Sequence, residues 1–279
     1  KPRLGHEEEP QVKSLYLDEF NSTIRYHDIN GAGPTIVYLA ALSFPSIANF
    51  LPTVTHSKMP RHRSILIDYL GVGHSEHPAD FDHSMQNHAK TVAKILDHEG
   101  LQNCIIVGHS MGGTVAIFLA MQRPDLVSEL FVCEGNITPG GGAGTQYFTS
   151  VSQADFVAEL FPKLLARWRE AGLNGDTEAQ WRCGAWDGVD FTGVYKNSQS
   201  LVDIPGDFKQ SFLSLPMKRT FVYGEETFPD NTGDIKADAP DPAELRANGI
   251  SIAVVPGAGH DQMIFNPDEF VDILSNALK

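Results

Sequence analysis

The chain has 279 residues, of which 42% are apolar, enough to bury a large core without disulfide staples. Its formal net charge of −14 sets the surface against nucleic acid phosphates and anionic lipid, so neither is an expected partner. The most apolar window, Cys104 to Met121, is broken by glycines, His109 and Ser110, and reads as a strand and a helix rather than a membrane span.

The first residues, Lys1 to Pro10, carry neither an initiator methionine nor an apolar signal core, so they read as a trimmed start. Three cysteines cannot all pair. Cys104 opens one predicted strand and Cys133 closes its neighbour, which puts them at opposite ends of a parallel pair. Free, buried thiols with no Cys-x-x-Cys fit a reducing compartment, and a cytoplasmic protein is expected.

The elements follow in order. Ser14 to Asp18 and Thr23 to His27 alternate as an antiparallel hairpin turning near Glu19 to Ser22. Thr35 to Leu39 and Ser64 to Asp68 are nearly continuous apolar runs, the mark of strands covered on both faces. Met85 to Glu99 shows helical periodicity through Val92, Ile95 and Leu96. The strand from Cys104 to Val107 then precedes a helix-forming stretch, Thr114 to Ala120, and strands recur at Leu130–Cys133, Arg219–Tyr223 and Ile250–Val255 before a last helix, Pro267 to Leu278. The alternation predicts an α/β fold with a doubly wound, mostly parallel eight-stranded sheet. Between Gly135 and Pro216 the alternation stops. A glycine-rich lead-in, Pro139 to Gly144, opens aromatic, helix-prone sequence that reads as an inserted helical cap over residues 136–216, with core on either side at 1–135 and 217–279. Its Trp168, Trp181, Trp186, Phe191 and Tyr195 suit either a substrate pocket or the cap's own core.

Between the strand and helix around it, Gly108-His109-Ser110-Met111-Gly112 is a G-x-S-x-G turn. Strand, sharp turn and helix together force the serine into a strained conformation that exposes its hydroxyl and frees the next backbone N–H. Ser110 is the candidate nucleophile. Such a serine needs a base, an orienting acid and an oxyanion site. Of 11 histidines, His260 follows the last strand in Gly257-Ala258-Gly259-His260, at the same sheet edge as Ser110. His74, His77, His83 and His88 lie near one another without a Cys or His-Glu-x-x-His companion, so no metal and no cofactor are expected. Asp68 reads as structural.

With the elbow, Asp68-Tyr69-Leu70-Gly71-Val72-Gly73-His74-Ser75, and His260 followed by Pro267 and Phe270, nearly the whole chain resembles the α/β-hydrolase superfamily. The resemblance implies an acid three residues beyond the glycine that ends the Phe221-Val222-Tyr223 strand, but Thr227 stands there. A second placement in the superfamily, at the end of the strand after the elbow helix, corresponds to Glu134. Zearalenone-type lactonases and a subgroup of haloalkane dehalogenases look similar at this point, although the dehalogenases need an Asp where this chain has Ser110. Glu134 is therefore the first candidate acid, with Glu225, Glu226, Asp230 and Asp234 as alternatives. The same matching gives the N–H groups of Met111 and Leu42 as oxyanion donors, Ala40-Ala41 replacing the usual His-Gly. Ser43 and Met263, with Trp181, Trp186, Phe191 and Tyr195, are candidate pocket residues.

The resemblance implies a serine hydrolase acting on a small, apolar carboxylic ester or lactone through an acyl-enzyme. Serine removes dehalogenase and epoxide hydrolase chemistry, which begin with a carboxylate. Hydrolysis of a carbon–carbon bond in a β-diketone-type substrate, or a ligand receptor with a retained triad, are the alternatives on this scaffold.

Overall fold

The computed structural model describes residues 11–229 and 239–278. Its eight strands are β1 (Gln11–Leu17), β2 (Ser22–Ile29), β3 (Ile36–Leu39), β4 (Ser64–Asp68), β5 (Cys104–His109), β6 (Val127–Cys133), β7 (Lys218–Gly224) and β8 (Ser251–Val255). They form one sheet in the order β1-β2-β4-β3-β5-β6-β7-β8. β2 runs antiparallel to both of its neighbours, β1 and β4, and the remaining pairs are parallel. The hairpin turns through a 3-10 segment, Asp18–Phe20, and Asn21 in the left-handed region. β6 begins three residues earlier than its apolar run, because Ser128 and Glu129 interrupt the pattern; Glu129 is retained in the ladder by an ion pair to Lys218 at 2.7 Å.

The alternation of side chains along each strand feeds two apolar layers. Val37, Leu39, Cys104 and Ile106 face one, with helices α2 (Met85–His98) and α3 (Met111–Gln122) packed on that side. Ile36, Tyr38, Ile105 and Val107 face the other, against α1 (Ser46–Val54) and α12 (Pro267–Ala277). Every residue of α3 from Met111 to Ala120 is buried, so this helix is apolar all round rather than on one stripe. Cys104 pairs with Val127 and Cys133 with His109, which leaves the two thiols at opposite ends of β5 and β6. All three cysteines are free, and Cys183, unlike the other two, is only partly buried.

Between β6 and β7 the chain forms α4 (Ala143–Phe148), then α5 (Gln153–Asp155) running through a π-helical stretch, Phe156–Leu160, into α6 (Phe161–Leu173), and α7 (Thr177–Ala185), α8 (Phe191–Val202) and α9 (Phe208–Leu213). Asp176 and Asp190 cap α7 and α8 by accepting N–H groups of their first turns. A third apolar cluster joins these helices to the loop after β3: Ala40, Ala41 and Phe44 pack with Phe148, Phe156, Phe161 and Trp186. The short helices α10 (Pro242–Ala247) and α11 (Gln262–Phe265) flank β8. Among the described residues no helix is long and apolar enough to cross a membrane.

Candidate active site

Ser110 sits between β5 and α3 at φ 52° and ψ −119°, a conformation L-residues rarely adopt. Two glycines make the turn possible. A Cβ at Gly108 would lie 2.4 Å from the Gly112 carbonyl, and one at Gly112 would lie 2.0 Å from that of Leu39. The Ser110 N–H donates to the Cys133 carbonyl at 2.8 Å, which ties the elbow to the end of β6. One residue further, Glu134 also has positive φ, at 51°, and its N–H donates to the Val222 carbonyl of β7. Backbone strain thus falls on both residues that end these neighbouring strands at the carboxyl edge.

His260, in the loop after β8, has its Nδ1 2.6 Å from Glu134 Oε2. The other oxygen of Glu134 accepts the Gly224 N–H at 2.7 Å and the Thr227 hydroxyl. Thr227, at the position where the resemblance placed an acid, instead donates its hydroxyl to Glu134, the residue that follows β6. Glu225 accepts the Gly257 N–H at 2.7 Å, and the Glu226 N–H donates to Ala258. Asp230 and Asp234 lie outside the described residues.

Burial alone would raise the Glu134 pKa, but its hydrogen bonds to His260, Thr227 and Gly224, with the His260 charge, hold it below the usual carboxylate value. The His260 side chain is 43% exposed, and although the surrounding protein partly desolvates it, which acts downward, the Glu134 hydrogen bond and charge outweigh this and raise the imidazole above its ordinary value. With Nδ1–H donating to Glu134, Nε2 is left as the basic nitrogen.

A cavity of about 780 Å³ contains Ser110, Glu134 and His260 together. Leu42, Phe44, Phe148, Leu164, Trp168 and Trp186 give it an apolar wall. Among the described residues Met111 and Leu42 donate their backbone N–H to no protein group, and both flank Ser110 or its cavity. Of the expected pocket aromatics only Trp186, joined by Trp168, lines the cavity. Trp181 packs edge-on against Phe44 and donates to the Ala48 carbonyl, Phe191 packs against Phe161, and Tyr195 bonds Val151 while its ring meets Phe156. These three build the core of the helical segment. Met263 is fully buried in the layer beneath α12. Ser43 is also buried, its hydroxyl accepting from Asn197 at 3.1 Å, so it supports the loop and does not face the cavity.

Several residues of the site have no local sequence signal. Arg182 of α7 reaches Asp261, the neighbour of His260, and also pairs with Glu178 at 2.8 Å; both Arg182 and Asp261 line the cavity. Fully buried His109 has Nε2 2.9 Å from the His260 carbonyl, so Nε2 carries the proton. Burial, with the His260 charge, depresses its pKa well below the ordinary value and keeps it neutral. Asn49 Oδ1 accepts the Ala41 N–H at 2.8 Å, which fixes the loop after β3 to α1.

Haloalkane dehalogenase 2 of Mycobacterium tuberculosis is 30% identical over 122 residues, a match that covers 43% of this chain and only 42% of that protein. The sn-1-specific diacylglycerol lipase ABHD11 of Mus musculus is 33% identical over 260 residues, 88% of this chain and 81% of the lipase. Among solved structures, an esterase from Exiguobacterium antarcticum superposes with a TM-score of 0.76 at 17% identity, covering 96% of this chain and 99% of its own. The enol-lactonase from Burkholderia xenovorans LB400 gives 0.70 at 18% identity, over 95% and 99%. At such identity these two speak for the fold alone. Residues 34–182 match the family model described as alpha/beta hydrolase fold, and with 33% identity to the Mus musculus protein over 88% of its length the chain belongs to this family.

Proposed function

We infer that the protein is a serine hydrolase that cleaves a carboxylic ester or lactone. The observation that carries this reading is the 2.6 Å contact between His260 Nδ1 and Glu134 Oε2 in the cavity that Ser110 also lines. Ser110 attacks the acyl carbon while His260 Nε2 takes its proton, and Glu134 orients the imidazole and offsets the imidazolium charge. The N–H groups of Met111 and Leu42 bind the oxyanion of the tetrahedral intermediate. His260 then protonates the leaving alkoxide, and a water activated by the same nitrogen releases the acid and regenerates Ser110. From a lactone the acid and alcohol remain one molecule.

The cavity favours an uncharged, apolar substrate. Its cation, Arg182, is already matched by Asp261 and Glu178, and the rest of its wall is mostly aromatic and aliphatic. Ser110 at the nucleophile position separates this reading from dehalogenation, the activity named for the Mycobacterium relative.

Replacing Ser110 by Ala tests it. The wild-type chain is expected to turn over activated esters repeatedly and to be stoichiometrically labelled by a phosphonate ester at Ser110, whereas Ser110→Ala, folded by circular dichroism, does neither. Ester cleavage persisting in Ser110→Ala refutes the nucleophile, and labelling followed by no turnover in the wild type favours a ligand receptor.

A further inference from the structure

A second group of chemistry-bearing residues lies outside the cavity, where β2 meets the loop after β4. His27, Asp68 and His74 each offer one donor atom there, and the three atoms lie within 4.8 Å of one another. None of them lines the cavity. The histidine cluster visible in the sequence gave no ligand set because the partners of His74 come from elsewhere: His77, His83 and His88 are not among them.

The carboxylate is aimed before anything binds. Asp68 is 1% exposed, and its Oδ1 takes both the N–H of Ser46 at 2.8 Å and the Ser46 hydroxyl at 2.6 Å. Oδ2 accepts the His74 N–H at 2.9 Å and faces His74 Nδ1 at 3.2 Å. The turn can wrap this closely because position 73 is glycine; at its φ of +58° a Cβ would sit 2.3 Å from Oδ2. His27 is fixed inside β2 opposite Leu66, and its ring meets that of His74 edge to face with centroids 5.5 Å apart. The two imidazoles thus stand beside one carboxylate, His27 from the sheet and His74 from the turn. His74 has a side chain 60% exposed, so the group opens to solvent on that side.

We propose that His27, Asp68 and His74 form a binding site for a borderline divalent cation, zinc above all, with water as the fourth ligand. Bonds of about 2.0–2.1 Å to a tetrahedral zinc put neighbouring ligand atoms roughly 3.3 Å apart, close to the 3.2 Å between Asp68 Oδ2 and His74 Nδ1. Two imidazoles select zinc, cobalt or nickel over magnesium and calcium, which want oxygen shells. Binding moves the His74 ring proton from Nδ1 to Nε2 while leaving its backbone N–H on Oδ2, so the cation takes that proton's place beside the carboxylate and keeps the rest of the cradle. Arg25, bonded to the His74 carbonyl at 2.6 Å, is the nearby cation that opposes it. Because Asp68 also holds Ser46 at the head of α1, directly after the loop of Leu42 and Ser43, the ion would brace that loop from behind.

The test is zinc titration of the full chain after chelator treatment and dialysis, by calorimetry, with cobalt absorption as a report on coordination. The wild type is expected to take up one equivalent, to melt at higher temperature with zinc, and to give cobalt the intense visible bands of a four-coordinate ion. His74→Ala, a surface change that leaves the core untouched, is expected to weaken binding at least tenfold, and His27→Gln to do the same. A wild type that takes up no zinc overturns the proposal. So does a His74→Ala chain that binds as tightly as the wild type, since the ion then sits at some other histidine.

Discussion

Three protein groups converge on the Glu134 carboxylate: the His260 imidazole on one oxygen, the Gly224 N–H and the Thr227 hydroxyl on the other. A carboxylate saturated in this way stays ionised and cannot rotate, which is what an orienting acid requires. Its effect on His260 is measurable as pH dependence. The proposed mechanism uses the neutral imidazole as base, and Glu134 raises the His260 pKa against the downward pull of desolvation. The acid limb of kcat/KM is therefore expected above the value of an ordinary histidine, with activity falling as pH drops through it. In Glu134→Gln that limb shifts down and the plateau kcat falls by about a thousandfold or more, as expected on losing a triad acid. Glu225→Gln, which alters a carboxylate occupied by the Gly257 N–H, is expected to stay within a few-fold of wild type. The reverse ranking in a pH-rate series would move the acid to β7.

At the scale of elements, the helices between β6 and β7 hold the loop after β3 by hydrogen bonds as well as by packing. Trp186 donates to the Leu42 carbonyl at 3.0 Å and Asn197 to the Ser43 hydroxyl at 3.1 Å, while Trp181 donates at 3.2 Å to the Ala48 carbonyl of α1, the helix that follows the loop. Ser43 has φ 55°, so the loop that carries the Leu42 N–H adopts a backbone form that needs outside support. Trp186→Phe keeps an aromatic ring against Phe44, Phe161 and Trp168 but removes the donor. It is expected to lower kcat by about tenfold with KM nearly unchanged, since a misplaced oxyanion donor is felt in the transition state; steady-state kinetics on one activated ester decide it. This coupling was not legible in the sequence. The strands were, because burial on both faces leaves an unbroken apolar run, and so was the meeting of Ser110, His260 and Glu134 at one sheet edge, because each ends or follows such a run. Trp181, Phe191 and Tyr195 were not assignable, since core and pocket aromatics obey the same demand for apolar surroundings. Arg182 and Asp261 meet only through the tertiary fold, and no periodicity records a pair so far apart in the chain.

Across the whole molecule, the junction between the α/β core and its helical segment contains two buried histidines. His88 of α2 has Nε2 2.8 Å from Asn197 Oδ1 of α8, and His83 packs beside it, both rings against Phe81. Burial, with its neighbour's charge, pushes His88 down to about 3; burial and the Lys196 charge take His83 to about 4. Both are neutral in the folded chain at neutral pH, and in the unfolded chain both titrate at the ordinary 6.5. The sign follows from proton counting. Below 6.5 the unfolded state takes up protons that the folded state refuses, so stability is full above that pH and falls as the solution is acidified toward the folded pKa values. Two such groups amount to a loss on the order of several kcal/mol by the time their folded values are reached. His109, also depressed by burial, adds to the same slope. The paired carboxylates Glu134, Asp28 and Glu99 are held below ordinary carboxylate values, which themselves lie below pH 5, so the interval between pH 6.5 and about 5 isolates the histidines. Melting temperature is expected to fall through that interval; above pH 6.5 the raised His260 acts with the opposite sign, its contribution being lost as pH rises through its folded value. His83→Gln with His88→Gln lowers the melting temperature at neutral pH by disturbing the packing, yet flattens its dependence on acid. A double variant whose melting temperature falls with pH as steeply as the wild type's would place the acid sensitivity elsewhere than at this junction.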